Sequence, residues 1–333
     1  MLFDFISLFG GIAIFIFGLQ SLSESSEKLA VGKISHIIKN KVKNPFTGLL
    51  VGVVVAGVTQ SSVATSVITV GLVEGGVISF SSSVAIIMGA NIGTTVTAQL
   101  ISLSGGGGNV IAPISAILGI ILLSFRQPKI KEVGKSFLGL SIIFTGIALM
   151  GKSIGVIENY SWFKRLFLIK NPLVLFVNGM MITAITQSSS AITGCMIILA
   201  SKGSMPFINC AYITLGSNVG SCFGVILASL NKGVEGRRTA VFNLIFNLFG
   251  SFLFMPVLTI FGKEITKLFL IKGGVGRGIA NFHTVFNLVC SLIAMPFLKL
   301  LCNLVSFIVK DDGEKGDKNR IIKSFRGKSR YNI

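Results

Sequence analysis

The sequence predicts an all-α polytopic membrane protein that consists of two repeats, each with a re-entrant helical hairpin broken at a Gln-Ser-Ser motif. Three observations lead to this fold class. The chain has 333 residues, of which 51% are hydrophobic and only 13% are charged, whereas soluble domains carry about 25% charged residues. The charges lie in clusters between long apolar stretches, and a polar motif recurs 127 residues further along the chain.

The uncharged stretches are long enough to cross a membrane. Between Glu74 and Arg126 lie 51 residues without a formal charge, and Lys202 to Lys232 encloses 29 more. A helix that spans a bilayer needs about 20 apolar residues. The net charge of +18 comes from basic residues between these stretches, as expected for loops beside anionic lipid headgroups. Because no aromatic residues alternate with the basic ones, we expect a lipid bilayer and not nucleic acid as the partner.

The two ends of the chain differ in character. Residues 5–22 are apolar and follow neither a basic leader nor a small-residue cleavage site, so we expect a retained first helix. Residues 310–333 carry eight basic and four acidic side chains, which predicts a disordered basic tail on the cytoplasmic side. The five cysteines lie in apolar stretches without metal-ligand spacing, so neither a disulfide nor a metal framework is expected.

An offset of 127 residues aligns two halves of the chain. The aligned landmarks are Asn44-Pro45 with Asn171-Pro172, Gly52 with Gly179, Gln60-Ser61-Ser62 with Gln187-Ser188-Ser189, and Asn91 with Asn218. One register that serves four landmarks indicates homologous halves. We therefore predict a first transmembrane repeat at 1–127, a second at 128–260, a C-terminal transmembrane extension at 261–309 and the basic tail at 310–333.

A second, shorter repeat has an offset of 40 residues. It aligns Phe246-Asn247-Leu248 with Phe286-Asn287-Leu288, which predicts two helices with the same packing task. For the two asparagines we expect packing between helices, with a hydrogen bond to neighbouring backbone as the alternative. His283 lies in the second helix and is expected to be a hydrogen-bonded packing residue, with a proton carrier as the alternative. Glu74, close to several glycines, is expected to lie in a solvated turn.

Duplicated halves with polar interruptions at matching positions are typical of secondary transporters. Here the interruptions are the Gln-Ser-Ser motifs, within the uncharged segments 44–73 and 171–201. Broken at Gln60 or Gln187, each segment gives two limbs of about 14 residues. At 1.5 Å per residue such a limb reaches roughly 21 Å, too short for the ~30 Å hydrocarbon core. A hairpin that enters and leaves on the same side fits these lengths.

The residues at the breaks suit an anion. Ser61 and Ser188 begin new limbs, where hydroxyls cap free N–H groups and the helix N-terminus carries a partial positive charge. The alternative role for these serines is that of small residues between packed helices.

Neutral oxygens elsewhere suit a sodium ion. Asn91 and Asn218 are each followed by a glycine after one residue and then by hydroxyls, at Thr94, Thr95 and Ser221. Amide and hydroxyl oxygens of this kind coordinate Na⁺ in transporters. Because the two broken segments contain no charged side chain, we infer that a co-bound Na⁺ neutralises the anion.

These motifs resemble those of the type II sodium/phosphate cotransporter family, including its bacterial members. That family has two Gln-Ser-Ser-Ser motifs in inverted-topology repeats, each followed by a Gly-Ala/Ser-Asn-Ile-Gly-Thr motif. The corresponding segments here are 60–63 with 89–94, and 187–190 with 216–221. The resemblance covers about residues 5–300 and implies Na⁺-driven symport of inorganic phosphate at a central site.

The resemblance also implies which residues form the site. Phosphate would be bound by the two motifs, through Gln60, Ser61, Ser62, Gln187, Ser188, Ser189 and Ser190. Sodium would be bound by the glutamines and the later motifs, through Gln60, Asn91, Thr94, Gln187, Ser217, Asn218 and Ser221. Two departures bear on these roles, since Val63 replaces the third serine of the first motif and Ser221-Cys222 stands where the family often has two threonines.

The sequence thus predicts sodium-coupled symport of inorganic phosphate by alternating access across the cytoplasmic (inner) membrane, with Na⁺ as the coupling ion and no other cofactor. A symporter of another small anion, such as sulfate or a carboxylate, is the nearest alternative. A membrane-embedded phosphatase or hydrolase is disfavoured, and no enzyme activity is expected, because no acid, base or arginine cluster accompanies the serines. The sequence leaves the oligomeric state open, with a homodimer among the arrangements it allows.

Overall fold

The computed structural model describes residues 2–42, 44–157, 160, 169, 171–270 and 273–310. Throughout these residues the regular secondary structure is helical. The helices of the described chain are α1 (Leu2–Lys41), α2 (Pro45–Thr59), α3 (Ser62–Glu74), α4 (Phe80–Gly93), α5 (Thr95–Ser102), α6 (Ser104–Leu123), α7 (Pro128–Ile157), α8 (Pro172–Thr186), α9 (Ser189–Ser201), α10 (Phe207–Ser229), α11 (Val234–Leu270), α12 (Gly274–Ala294) and α13 (Leu298–Ile308). A 3₁₀ turn at Met295–Phe297 joins α12 to α13.

Six helical segments within the described residues are long and apolar enough to cross a membrane. They are Phe3–Ala30, Phe80–Ser102, Pro128–Ile157, Phe207–Ser229, Val234–Leu270 and Gly274–Ile308. The helices α2, α3, α8 and α9 are also apolar but shorter. The predicted fold class, an all-α protein with apolar helices of membrane-spanning length, is confirmed.

Both predicted helix breaks are present, at Gln60 and Gln187. The helices before the breaks, α2 and α8, have 15 residues each, and those after them, α3 and α9, have 13 each. Asn44 and Asn171 cap α2 and α8, and a proline occupies the first position of each helix. These caps and breaks recur at the 127-residue offset seen in the sequence.

Glycines let α2 pack directly against α4, and α8 against α10. A Cβ atom added at Gly89 would lie 2.0 Å from the carbonyl oxygen of Leu49, and one added at Gly216 would lie 1.9 Å from that of Phe176. Neither position has room for a side chain, because real Cβ atoms essentially never approach closer than 3.0 Å. Both partners of the second contact lie 127 residues beyond those of the first, so the two halves share this backbone packing.

The helices α1, α6 and α7 form a separate group, which we call the α1–α6–α7 bundle. Close approach again depends on glycine, since a Cβ added at Gly18 would lie 2.6 Å from the amide nitrogen of Ile143. The bundle meets the helix breaks through α1. Ser23 Oγ donates to the carbonyl oxygen of Thr59 at 2.8 Å, and Phe15 is fully buried against α9.

The ends of both short helix pairs meet the starts of α11 and α12. Both carboxylate oxygens of Glu74, at the end of α3, accept from the backbone N–H of Gly233, at 3.0 and 2.9 Å. Ser201, at the end of α9, packs against Gly276, where an added Cβ would lie 2.1 Å from the serine hydroxyl oxygen. Glu74 is exposed, as predicted for a solvated turn, but it also caps the N-terminus of α11, a contact that its sequence context did not predict.

The described chain ends beside the start of α11. Arg238 Nε donates to the carbonyl oxygen of Val309 at 3.0 Å. This contact places Lys310 at the same end of the molecule as Glu74. Residues 311–333, which make up nearly all of the predicted basic tail, lie outside the described residues.

Candidate functional site

A cavity of about 310 Å³ lies where the two helix breaks meet. Both Gln-Ser-Ser motifs line it, so the structure brings the two predicted halves of the site together. The lining comes from α1, the two breaks and the α4–α5 junction, and consists of Leu19, Gln20, Ser23, Gln60, Ser61, Ser62, Val63, Thr94, Thr97, Thr186, Gln187, Ser188, Ser189 and Ser190. All of these lining side chains are uncharged.

A larger cavity of about 840 Å³ opens elsewhere, between α8, α10 and α11. Lys263, Glu264 and Lys267 line it, and neither motif does. The smaller cavity is the candidate site because the motifs, two helix N-termini and several unpartnered polar atoms coincide there.

Gln60 and Gln187 end α2 and α8 in the left-handed backbone region, with φ of 55° and 53°. They are the two non-glycine positions with positive φ in the part of the chain that the structure describes. For a residue with a Cβ this conformation is about 1–2 kcal/mol less favourable than the right-handed one. A glutamine where glycine would be easier indicates that the side chain has a task.

Ser61 and Ser188 follow the glutamines and cap α3 and α9. Ser61 Oγ accepts from the backbone N–H of Ala64 at 3.0 Å, and Ser188 Oγ accepts from that of Ala191 at 3.2 Å. The prediction that these hydroxyls cap the new limbs is confirmed. Because a lone pair of each hydroxyl oxygen faces its own helix, the hydroxyl proton is left to donate to a ligand. Two such donors, each beside a helix N-terminus, suit an anion.

The same cavity holds buried oxygen atoms that receive no hydrogen bond. Gln60 Oε1, Thr94 Oγ1 and Thr97 Oγ1 have no hydrogen-bond partner among the described residues, and all three residues line the cavity. Leaving a buried polar group unsatisfied costs about 1–3 kcal/mol. A cation coordinated by these oxygens would remove that deficit.

The other predicted sodium residues lie behind the cavity, in a hydrogen-bonded interior. Asn91 and Asn218 bond to side chains of α11 and α12. Ser217 Oγ accepts from the hydroxyl of Thr183 at 2.8 Å, and Ser221 Oγ donates to the carbonyl oxygen of Asn218 at 2.7 Å. The structure therefore does not bring these predicted sodium residues into the cavity lining.

Four polar residues of the lining were not predicted as ligands, namely Gln20, Ser23, Thr97 and Thr186, the last directly before Gln187. Gln20 and Ser23 are polar positions within the otherwise apolar first helix, and Thr97 lies one helical turn after Thr94, so each left a signal in the sequence. Val63 also lines the cavity. Its apolar side chain stands where the resembled family has a third serine hydroxyl.

A polar cavity between two broken helices, within an apolar helical bundle, is typical of secondary transporters. The chain belongs to the Na⁺/Pi-cotransporter family, whose sequence profile matches residues 14–152 and 162–283. The resemblance inferred from the motifs is thereby confirmed.

Individual relatives were also found, and two of the three described next have names that mention phosphate. The uncharacterized protein YqeW of Bacillus subtilis is 29% identical over 250 residues, which make up 74% of this chain and 80% of that protein. The proposed inorganic phosphate export protein YjbB of Escherichia coli K12 is 22% identical over 268 residues, or 80% of this chain and 49% of that protein. The sodium-dependent phosphate transport protein 2A of Rattus norvegicus is 39% identical over 103 residues, or 30% of this chain and 16% of that protein. No solved structure matches the chain.

The chain spans about half the length of YjbB and a smaller part of the rat transporter. The family consists of transporters and not of enzymes. Membership supports phosphate transport by a multi-pass membrane protein, and the family's name connects that transport with sodium.

Proposed function

We propose that the protein is a symporter that couples sodium to inorganic phosphate and works by alternating access across the cytoplasmic membrane. The observation that carries this proposal is that both Gln-Ser-Ser motifs line one cavity with uncharged walls. It combines hydroxyl donors at two helix N-termini with buried oxygens that lack donors. The donors suit an oxyanion and the acceptors suit a cation, so one cavity offers complementary places for both ions.

In this proposal the two motifs hold phosphate from two sides. The ligands are Gln60, Ser61, Ser62, Gln187, Ser188, Ser189 and Ser190, whose hydroxyl and amide groups donate hydrogen bonds to the phosphate oxygens. None of these groups carries a positive charge. Since an anion that loses its water needs charge compensation as well as hydrogen bonds, phosphate alone would bind poorly here.

Sodium supplies the missing positive charge. The proposed sodium ligands are Gln60, Asn91, Thr94, Gln187, Ser217, Asn218 and Ser221, to which we add Thr97 because its buried hydroxyl lacks a partner among the described residues. Opposite unit charges 4 Å apart attract by about 4 kcal/mol at an effective dielectric constant of about 20. Each ion therefore raises the affinity for the other, which is the physical basis of coupling.

The two helix pairs are, in this proposal, re-entrant hairpins that enter from opposite faces of the membrane, so that the repeats are inverted. In support, α3 ends beside Gly233 at the start of α11, whereas α9 ends beside Gly276 at the start of α12. Between these points lies α11, which has 37 residues and a kink at Phe261, and the part before the kink alone gives about 40 Å of helix. In this proposal α11 crosses the hydrocarbon core, which is about 30 Å thick, so the open ends of the two hairpins lie on opposite faces of the membrane.

We place the end of the molecule that carries Glu74 on the cytoplasmic side. The basic residues 310–333 continue from Lys310 at that end, and basic segments remain in the cytoplasm. In a cysteine-free variant, a cysteine replacing Lys310 should react with an impermeant maleimide only from the cytoplasmic side, and one replacing Lys202 only from outside. The reverse pattern would contradict the orientation, and labelling of both from one side would contradict the inversion.

The cavity lies between two groups of helices, which gives alternating access a structural basis. The α1–α6–α7 bundle contributes Leu19, Gln20 and Ser23 to one wall, and the hairpins contribute both motifs to the other. Movement of the hairpins relative to the bundle would open the cavity to one face and then to the other.

Uptake of labelled phosphate into proteoliposomes tests the proposal. We expect uptake with an inward Na⁺ gradient and none above background with K⁺ or a proton gradient alone. Ser189→Ala should abolish uptake. Ser124→Ala, at an exposed serine that does not line the cavity, should leave uptake unchanged. Uptake that ignores the cation would remove the coupling, and equal uptake of sulfate or a small carboxylate would favour the alternative substrate.

A further inference from the structure

Two buried clusters of polar side chains lie behind the cavity, one around the motif asparagine of each half. In the first, Asn91 bonds to Asn243 of α11, and in the second, Asn218 bonds to His283 and Asn287 of α12. Asn91 and Asn218 are related by the 127-residue repeat, and residues 243 and 283 are related by the 40-residue repeat. The two clusters are therefore built from equivalent positions of both repeats. They differ in residue type at one of these positions, where Asn243 of the first cluster corresponds to His283 of the second.

Residue 243 presents an acceptor to its motif asparagine. Asn243 Oδ1 accepts from Asn91 Nδ2 at 3.4 Å and from Asn247 Nδ2 at 3.0 Å. Asn91 Nδ2 also donates to the carbonyl oxygen of Ile87 at 3.0 Å. The amide nitrogen of Asn91 is thus fixed by two acceptors, while its Oδ1 receives no hydrogen bond from the described residues.

Residue 283 presents a donor instead. His283 Nε2 lies 3.0 Å from Asn218 Oδ1, and because that oxygen can only accept, Nε2 must carry the proton. Asn218 Nδ2 in turn donates to Asn287 Oδ1 at 3.0 Å, and Asn287 Nδ2 donates to the backbone carbonyl of His283 at 2.9 Å. The side chains of these three residues and the backbone carbonyl of His283 close a ring in which both ends of the Asn218 amide are engaged.

The hydroxyls that follow the two asparagines also differ in whether they have hydrogen-bond partners. In the first half, Thr94 Oγ1 and Thr97 Oγ1 are buried and unpartnered among the described residues. They lie three and six residues after Asn91, at the junction of α4 and α5 and in the first turn of α5. In the second half, Ser221 Oγ already donates to the backbone of Asn218, and residue 224 is a glycine with no hydroxyl.

We propose that the two motif asparagines have different tasks. The side-chain oxygen Oδ1 of Asn91 binds Na⁺ together with oxygens of Thr94, Thr97 and Gln60. All ligands of the sodium site therefore come from the first half. Asn218 is held by His283 and Asn287 and does not ligate the cation, and His283 is the positioning residue that makes the halves unequal. This division rests on the proposed function and narrows its set of sodium ligands.

Thermal stabilisation of the purified protein by Na⁺, with choline as the reference ion, tests the division without requiring transport. Asn91→Ala should raise the Na⁺ concentration for half-maximal stabilisation at least tenfold. The matched variant Asn218→Ala should change it less than twofold, even if its melting temperature is lower. Loss of the response in Asn218→Ala with retention in Asn91→Ala would overturn the division. A wild-type protein that Na⁺ does not stabilise would count against the proposed function instead.

Two substitutions of His283 leave both motif asparagines in place. In His283→Gln the side-chain amide nitrogen reaches the position of the imidazole Nε2, so the donor to Asn218 is kept and the Na⁺ midpoint should move less than twofold. In His283→Asn the amide is too short to reach Asn218, so Asn218 Oδ1 becomes available to Na⁺. The Na⁺ concentration for half-maximal stabilisation should then fall at least threefold. Equal shifts in the two variants, or no shift in His283→Asn, would overturn the positioning role, because general loss of packing does not distinguish them in this way.

Discussion

Replacing Gln187 by glycine should separate the stability of the break from its function. Gln187 has a φ of 53°, and relief of the left-handed conformation is worth about 1–2 kcal/mol. Glycine gives back about 0.5–1 kcal/mol through its greater freedom in the unfolded chain. The net change is roughly zero to 1.5 kcal/mol in favour of folding, so the apparent melting temperature should stay level or rise.

Transport should change in the opposite direction. Removing the side chain takes away a hydrogen bond to a charged ligand, worth about 1.5–3 kcal/mol. At about 1.4 kcal/mol per factor of ten, the half-saturating phosphate concentration should rise about 10- to 150-fold. Gln187→Ala is the matched variant, since it loses the same side chain and keeps a Cβ in the left-handed region.

The measurements are Na⁺-dependent phosphate uptake in proteoliposomes and thermal unfolding in detergent, on the same preparations. Gln187→Gly and Gln187→Ala should lose uptake alike, and the glycine variant should be the more stable of the two. Normal uptake in either variant would refute the role of this side chain in binding. A glycine variant clearly less stable than the alanine variant would refute the account of the backbone.

Three further predictions follow from the packing and the cavity lining. Gly89→Ala and Gly216→Ala should each sharply lower the yield of monodisperse protein in size-exclusion chromatography, because the added Cβ would lie about 2 Å from a carbonyl oxygen. Gly71→Ala is the control and should behave as wild type, since an added Cβ there would have nothing within 4 Å. Glu74→Gln should lower the apparent melting temperature by about 1–3 °C, since it removes the charge at the N-terminus of α11, and an unchanged value would show that the cap is not stabilising. Val63→Thr, nearly equal in shape, adds a hydroxyl to the cavity lining and should lower the half-saturating phosphate concentration up to about tenfold, so an increase would contradict the placement of phosphate there.

The helix breaks were predictable because local chemistry produces them. A segment too short for two spans, a serine able to cap and a proline after asparagine all act within a few residues, so the sequence alone located Gln60 and Gln187. The 127-residue repeat added long-range information, since equivalent motifs were expected to converge at one site. The structure places both motifs around one cavity, in agreement with that expectation.

The contacts made by α11 and α12 were not predictable in the same way. Asn247 does bond to neighbouring backbone, which was the alternative to simple packing, but its side-chain partner Asn243 was not foreseen. His283 is hydrogen-bonded as expected, yet nothing in its own segment identified Asn218, 65 residues earlier, as the partner. Such pairs depend on how helices cross, and single-sequence periodicity carries no information about crossing. The capping of α11 by Glu74, 159 residues earlier, was missed for the same reason.

The uncharged lining of the cavity has a consequence for how the proposed cycle responds to voltage. With every lining side chain neutral, the empty site carries no charge of its own through the electric field when it reorients, so the return step is electrically silent. Only the bound ions are moved by the field, at about 2.3 kcal/mol per uncompensated unit charge for each 100 mV. Two Na⁺ with a doubly charged phosphate would generate no current and a third Na⁺ would generate one. The charge moved per phosphate, from current and uptake measured together, would therefore count the cations carried in each turnover.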